Sequence, residues 1–143
     1  MRSRELIYQT FFSLVTSAPG IKTSGRRLLQ YTEVSPPDQP ALFMVQKREA
    51  AKIQTKLPTI WTLYVDLVLY GHNSGQPSVA PMSLLNPIVD SIVNILLPSF
   101  QPDDQTLGGL VHRCRVEGDI VTDEGMLGDQ AIIVIPVTIY VPQ

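Results

Sequence analysis

His112 and Cys114 stand two positions apart. An imidazole within reach of a thiol is the pairing that activates a cysteine nucleophile. On an extended segment both side chains point the same way, here toward an apolar face shared with Leu110, Val116 and Ile120. No third group stands out to orient the histidine, and a thiol on an apolar face is more often a packing residue. The expectation is that this pair is not catalytic. His72, beside Asn73 in a segment with Gly75, Pro77 and Pro81, has no partner in sequence. Asp103-Asp104 and Asp123-Glu124 are acidic pairs in turn-like segments, read as solvated carboxylates. One cysteine makes no intramolecular disulfide, and with two histidines it falls short of the usual zinc ligand sets. Gly108-Gly109 follows a loop and precedes a strand, the wrong context for a phosphate cradle. No Gly-x-Ser-x-Gly elbow occurs. The expectation is a chain that is not an enzyme, with no catalytic residue, no metal site and no cofactor.

Charge offers more. Lys47, Arg48, Lys52 and Lys56 crowd one stretch with only Glu49 against them. The plain reading is a solvated connection between two strands; the sharper one is an arm that touches an acidic partner or DNA. Arg113, Arg115, Glu117 and Asp119 alternate along a second stretch and carry both signs, which could set register at a contact between subunits. The net charge of −2, from 11 basic and 13 acidic residues, argues against a dedicated nucleic-acid binder. The charged share is 17%, against about 25% in ordinary domains, which hints at surface covered by partners. The length of 143 residues suits one domain, residues 1–143, with a core that needs no disulfide.

The elements that must position these groups follow from periodicity. Thr59 to Tyr70 alternates Trp61, Leu63, Val65, Leu67 and Leu69 with Ile60, Thr62, Tyr64, Asp66, Val68 and Tyr70, between Pro58 and Gly71. This is a strand signal, and about 40 Å of strand exceeds the usual length. Such a strand belongs at the middle of a sheet or runs out to meet another chain. Residues 3–16 read as a helix with Ser3 as N-cap and Ile7, Phe11, Leu14 and Val15 on one stripe, closed by Ala18-Pro19-Gly20. Met82 to Leu97 reads as a second helix with Leu85, Ile88, Val89, Ile92, Val93 and Leu96 facing the sheet. Either Asn86 caps it with Pro87 at the first position, or it starts at Ser83 with the proline in its first turn. Asp90 would then lie near the positive end of the helix dipole, and Pro98 ends the helix.

Ser24-Gly25 reads as a turn, Arg26 to Thr32 as a candidate strand and Ala41 to Gln46 as a short strand. Ser99 to Asp104 reads as a polar connection, Leu110 to Val121 as a strand and Thr122 to Gln130 as a turn region too long for a two-residue hairpin. Ala131 to Val141 is a strand apolar on both faces, yet Pro136 inside it points to an edge or a bulge. A neighbouring subunit covering it would reconcile the two. The expected fold is α+β: one domain with a mixed or antiparallel sheet of about four to five strands, packed against two main helices. The N-terminal apolar patch is broken by Gln9, Thr10 and Ser13, so no signal peptide or membrane span is expected.

The order of these pieces resembles the tail terminator (tail completion) proteins of long-tailed bacteriophages. The likeness rests on the N-terminal helix, Gln39-Pro40-Ala41-Leu42-Phe43, the stretch Pro58 to Tyr70 and Leu84-Leu85-Asn86-Pro87-Ile88-Val89-Asp90. It rests most on Gln105-Thr106-Leu107-Gly108-Gly109-Leu110-Val111-His112 followed by Val116-Glu117-Gly118, and on the closing strand. The resemblance implies a ring, usually of six copies, on the head-proximal end of the tail tube. It implies the tail tube protein and the head–tail connector as partners, with DNA passing through the lumen. It implies a virion location after assembly in the host bacterial cytoplasm, with no membrane. It brings no catalytic residue. In such a ring Arg113, Arg115, Glu117 and Asp119 would meet a neighbouring copy, and Lys47, Arg48, Lys52 and Lys56 would face the tube or connector. A head-completion or adaptor protein of the same neck is the alternative. A small enzyme using His112 and Cys114, or a stand-alone ligand-binding domain, would be readings of other classes.

Overall fold

In the computed structural model, which describes residues 3–97 and 105–142, the chain runs α1 (Arg4–Val15), β1 (Thr23–Gly25), β2 (Ala41–Gln54), β3 (Leu57–His72), α2 (Met82–Leu96), β4 (Arg113–Val116), β5 (Val121–Leu127) and β6 (Gln130–Pro142). Two single turns of 3-10 helix, Tyr31–Glu33 and Pro36–Asp38, lie between β1 and β2. Pro98, the connection Ser99 to Asp104 and its Asp103-Asp104 pair lie outside the described residues, as do Met1 and Arg2.

The six strands form one sheet in the order β1-β2-β3-β6-β4, with β5 also pairing β6. Only β1 with β2 is parallel. The fold is α+β with a mixed sheet, holding six strands where four to five are expected. β3 is the long central strand, 16 residues from Leu57 to His72, hydrogen-bonded along most of its length to β2 on one side and β6 on the other.

One face carries the core. Leu63, Val65, Leu67 and Leu69 of β3 and Ile133, Ile135, Val137, Ile139 and Val141 of β6 are buried there against Ile7, Tyr8, Phe11 and Val15 of α1 and Leu85, Ile88, Ile92 and Leu96 of α2. At roughly 1.5–3 kcal/mol per large buried side chain, this cluster is the main source of stability. Ser3 caps α1, its hydroxyl accepting from the Leu6 amide at 3.3 Å. α2 begins where the expected range does and differs in how that start is made. It begins at Met82, so Pro87 lies inside the helix, Asn86 is no cap and Asp90 falls beyond the first turn. The start is held from outside, by a Glu124 carboxylate oxygen that accepts from the Met82 amide at 2.8 Å.

The second face is divided. Half of it is a smaller core of Val34, Ala41, Phe43, Val68 and Tyr70, covered by the segment that carries Leu29 and Tyr31. Tyr70 donates its hydroxyl to the Leu29 carbonyl at 2.7 Å. That segment is irregular, so the strand expected over Arg26 to Thr32 is absent. Leu28 and Leu29 are adjacent, and only Leu29 packs inward while Leu28 is exposed. The strand lies one step earlier, at Thr23–Gly25, where Ser24-Gly25 reads as a turn.

Three further expectations give way. The basic stretch with Lys47, Arg48, Lys52 and Lys56 is mostly strand and not a connection: β2 continues to Gln54 and turns through Thr55 and Lys56 into β3. Thr122 to Gln130 is no turn region: β5 occupies Val121–Leu127, the connection to β6 is only Gly128-Asp129, and Gly125 (φ 98°) sits at a bulge. The strand expected from Leu110 to Val121 shrinks to Arg113–Val116. Pro136 is explained within the chain. Its carbonyl accepts from the Glu117 amide at 3.1 Å, so its ring nitrogen points the same way, into the gap where β4 ends at Val116 and β5 begins at Val121. No ladder bond is lost, and neither a sheet edge nor a second subunit is needed there.

Candidate functional site

The other half of the second face has nothing over it among the described residues, and it gathers most of the charged candidates. The cause is a bulge in β2. Val45 opposes Asp66 and Gln46 opposes Val65, but the next partners are Arg48 with Tyr64 and Glu49 with Leu63, leaving Lys47 as the extra residue. Residues opposite one another share a face. The extra residue therefore places odd-numbered Ala41, Phe43 and Val45 and even-numbered Arg48, Ala50 and Lys52 on the same side. β4 adds Arg113 opposite Tyr140 and Arg115 opposite Thr138. β3 and β6 supply the floor between, with Thr62, Tyr64 and Asp66 paired to Tyr140, Thr138 and Pro136.

The charged groups are held by aromatic rings and by one another. The Arg48 guanidinium lies 3.9 Å from the centre of the Tyr64 ring, and that of Arg113 lies 4.4 Å from the Tyr140 ring. Each cation–π contact is worth about 0.5–1 kcal/mol at an exposed site. Lys47 Nζ stands 3.6 Å from the Asp66 carboxylate, and Arg115 stands 3.4 Å from Glu117. Tyr140 donates its hydroxyl to Glu117 at 2.7 Å. This bond, with help from Arg115, holds the Glu117 carboxyl below its ordinary range, and in turn pushes the Tyr140 phenol up. A hollow of about 290 Å³ opens between Tyr64, Asp66, Glu117, Pro136 and Tyr140.

The structure thus brings Lys47, Arg48, Lys52, Arg113, Arg115 and Glu117 onto one surface, although two separate surfaces are expected from the sequence. Asp119 does not join them; it is exposed in the irregular link between β4 and β5. Lys56 sits at the β2–β3 turn with φ 62°. Tyr64, Asp66 and Tyr140 were not among the expected site residues. Their signal was present as the polar and aromatic side of the long strand, but strand pairing was needed to give it meaning.

The arrangement is suited to binding. His112 and Cys114 do not share a face: the chain bends at Val111 and His112 before β4 begins, which leaves His112 exposed and Cys114 buried in the core. Burial pushes the Cys114 thiol up to about 12, the opposite of an activated nucleophile. His72 is engaged locally, its Nδ1 accepting from the Ser74 amide at 2.9 Å. A cleft of about 380 Å³ lies between Pro19, Pro36, Gln39, His72 and Pro87, but no nucleophile with an oriented base lines it. Among the described residues no three His, Cys, Asp or Glu side chains cluster as metal ligands. Among them, too, no helix is long and apolar enough to cross a membrane.

No family model matches the chain, and no curated protein matches it. Among solved structures, one similar chain belongs to the virion of a native gene transfer agent particle. It is 11% identical with a TM-score of 0.47, over 96% of this chain and 92% of that one. A second, which carries no functional name, is 18% identical with a TM-score of 0.44, over 100% of this chain and 97% of its own. At TM-scores below 0.5 these are distant likenesses of chain path and carry no functional argument.

Proposed function

We propose that the chain is a structural protein of a phage-like virion, acting as the tail terminator. Copies form a ring on the head-proximal end of the tail tube, stop its growth and offer the surface to which the head connector joins. The ring would have about six members by resemblance, with DNA passing through its lumen. The protein would reside in the neck of the particle, and no catalysis is assigned to it.

The observation that carries this reading is the uncovered half of the second sheet face. Lys47, Arg48, Lys52, Arg113 and Arg115 stand there against Asp66 and Glu117, on a rigid floor of paired strands. A surface of fixed charge on regular strands suits docking in one register. The order of motifs along the sequence supplies the kind of assembly.

The test is electron microscopy of particles made with and without this protein. The expected result is tails of uncontrolled length that fail to join heads in its absence, and normal tails when it is restored. Tails of normal length without it overturn the reading. Finding it on filled heads that lack tails would assign it instead to the adaptor class of neck protein.

A further inference from the structure

The two outer edges of the sheet carry opposite charge. β1 pairs with β2 only at Ala41–Phe43, so the rest of β2 is one open edge; the edge on the far side of β6 is shared by β4, which carries Arg113 and Arg115, and β5, and it is the β5 part that is acidic. Residues 47–56 hold Lys47, Arg48, Lys52 and Lys56 against Glu49, a net of four minus one, or +3. Glu49 is bound by Arg4 at 2.7 Å and Lys47 by Asp66 at 3.6 Å, and among the described residues Lys52 and Lys56 form no ion pair. Residues 117–129 hold Glu117, Asp119, Asp123, Glu124 and Asp129 with no lysine or arginine, a net of −5. Glu117 and Glu124 have partners within the chain. Among the described residues Asp119, Asp123 and Asp129 form no ion pair, and one carboxylate oxygen of Asp123 is buried without a hydrogen bond.

Among the described residues, the same two edges carry the four most exposed large apolar side chains. Ile53 and Leu57 at the end of the β2–β3 ribbon are 85% and 61% exposed, and Met126 and Val121 of β5 are 86% and 59% exposed. Apolar side chains on an open strand edge are a liability unless something covers them. Both edges are bulged, β2 at Lys47 and again near Ile53, β5 at Gly125. Bulges disfavour a continuous backbone ladder, so recognition falls to side chains.

We propose that the basic β2–β3 ribbon of one copy docks against the acidic β5 of the next, head to tail. This rests on the ring reading above and names its contact. The two patches differ and lie on opposite sides of the sheet, so the contact is heterologous and repeats from copy to copy until it closes. β2 runs with β6 and β5 runs against it, so the two edges meet antiparallel when copies stand side by side the same way up. Nucleic acid fits less well, because the acidic edge repels phosphate while the apolar tips stay uncovered.

The experiment is absolute mass by light scattering, at low and high salt, on four proteins. These are the wild type, Lys52→Glu/Lys56→Glu, Asp119→Lys/Asp129→Lys, and the chain with all four substitutions. Circular dichroism checks that each is folded. The wild type is expected at a multiple of 15.9 kDa that falls as salt screens the contact. Each two-substitution protein is expected to associate at least roughly tenfold more weakly, because like charges are forced together. Association returns when the two are mixed in equal amounts, and in the four-substitution chain. A misfolded variant cannot mimic that return.

The proposal is overturned by a wild type that stays at one chain mass at every concentration, by folded variants that keep the wild-type mass, or by no return on mixing. It is also overturned if Lys52→Glu/Lys56→Glu keeps its mass but loses affinity for a double-stranded DNA fragment, which assigns the ribbon to nucleic acid. Unchanged assembly with tails still capped discards the contact and leaves the terminator reading standing. Regained assembly with no effect on tails does the reverse.

Discussion

The side-chain amides of Gln39 and Gln130, 91 residues apart, exchange hydrogen bonds in both directions, at 3.0 and 2.8 Å. Both are buried. Gln39 also donates to the Val34 carbonyl at 3.0 Å, and Gln130 to the carbonyls of Gly71 and Ala131, each at 2.9 Å. The pair ties the entry of β2 to the first residue of β6. Gln130→Leu leaves a buried amide without its partner, a loss of about 1–3 kcal/mol. Gln39→Leu has a similar effect. The double leucine variant loses less than the sum: no side-chain amide is left orphaned, and what remains is the loss of a donor to the Val34, Gly71 and Ala131 carbonyls. Urea unfolding of the three variants checks this, and strict additivity would mean that the two amides do not act on one another.

Gly71 is set by its neighbour. A Cβ built there would lie 2.7 Å from Cγ and Cδ2 of Leu85, and Leu85 is fully buried in α2. Gly71→Ala forces the helix off the sheet or the leucine off its rotamer, at about 1–3 kcal/mol. Leu85→Ala alone opens a cavity worth about 2–5 kcal/mol. Combined, the two lose less than their sum, because the added methyl enters the vacated space. Thermal unfolding of the double variant decides it.

Glu117 and Tyr140 give a pH signature. A carboxylate with a depressed folded value stabilises the chain above its unfolded value, and that contribution is lost as pH falls through the folded one. The raised Tyr140 phenol contributes below its ordinary value and loses that contribution as pH rises through the folded one. Glu117 is exposed and Tyr140 half-buried, so solvent screening keeps the effect on global stability small. The titration itself is clear to read. Tyr140→Phe removes the main cause of the Glu117 shift, and the Glu117 midpoint moves up toward 4.5, the ordinary value. Carbon NMR of the side-chain carboxyl follows this directly, and an unmoved midpoint refutes the coupling.

Cys114 is 1% exposed, with its thiol pushed up to about 12. In the folded protein an aromatic disulfide reagent reacts with it only through opening of the core. Labelling at neutral pH is therefore expected to be slow, and to become fast in urea at the unfolding midpoint. Rapid labelling of the folded chain would restore the nucleophile that the burial of this residue argues against.

α1, α2, β3 and the closing strand were legible because each has one or two faces buried in the main core, and burial writes a period into the residues. β5 was hidden by the opposite condition. Its side chains are mostly exposed, so acids and glycines occur where a buried strand would carry Val or Ile. The outer part of β2 was hidden for the same reason, and the extra residue at Lys47 breaks what alternation remains. Arg113 and Arg115 lie on one side of β4, but Asp119 does not share it, because the strand and its period stop at Val116. The meeting of Arg48 with Tyr64 and of Arg113 with Tyr140 depends on which strands pair and in what register. That information is not local to either segment.

Pro136 separates two patches of strand along one side of β6, and the link from Glu117 to Ile120 crosses the gap between them. Glu117 anchors the start of that link, its amide donating to the Pro136 carbonyl at 3.1 Å, while Asp119 and Ile120 beyond it are exposed. After Gly118 the link can therefore gain residues with little thermodynamic consequence, since each doubling of a loop costs only about 0.6 kcal/mol. Relatives of this chain would be free to vary in length at that point while keeping the same spine. A peptide tag spliced there would be displayed beside the charged face without disturbing the core.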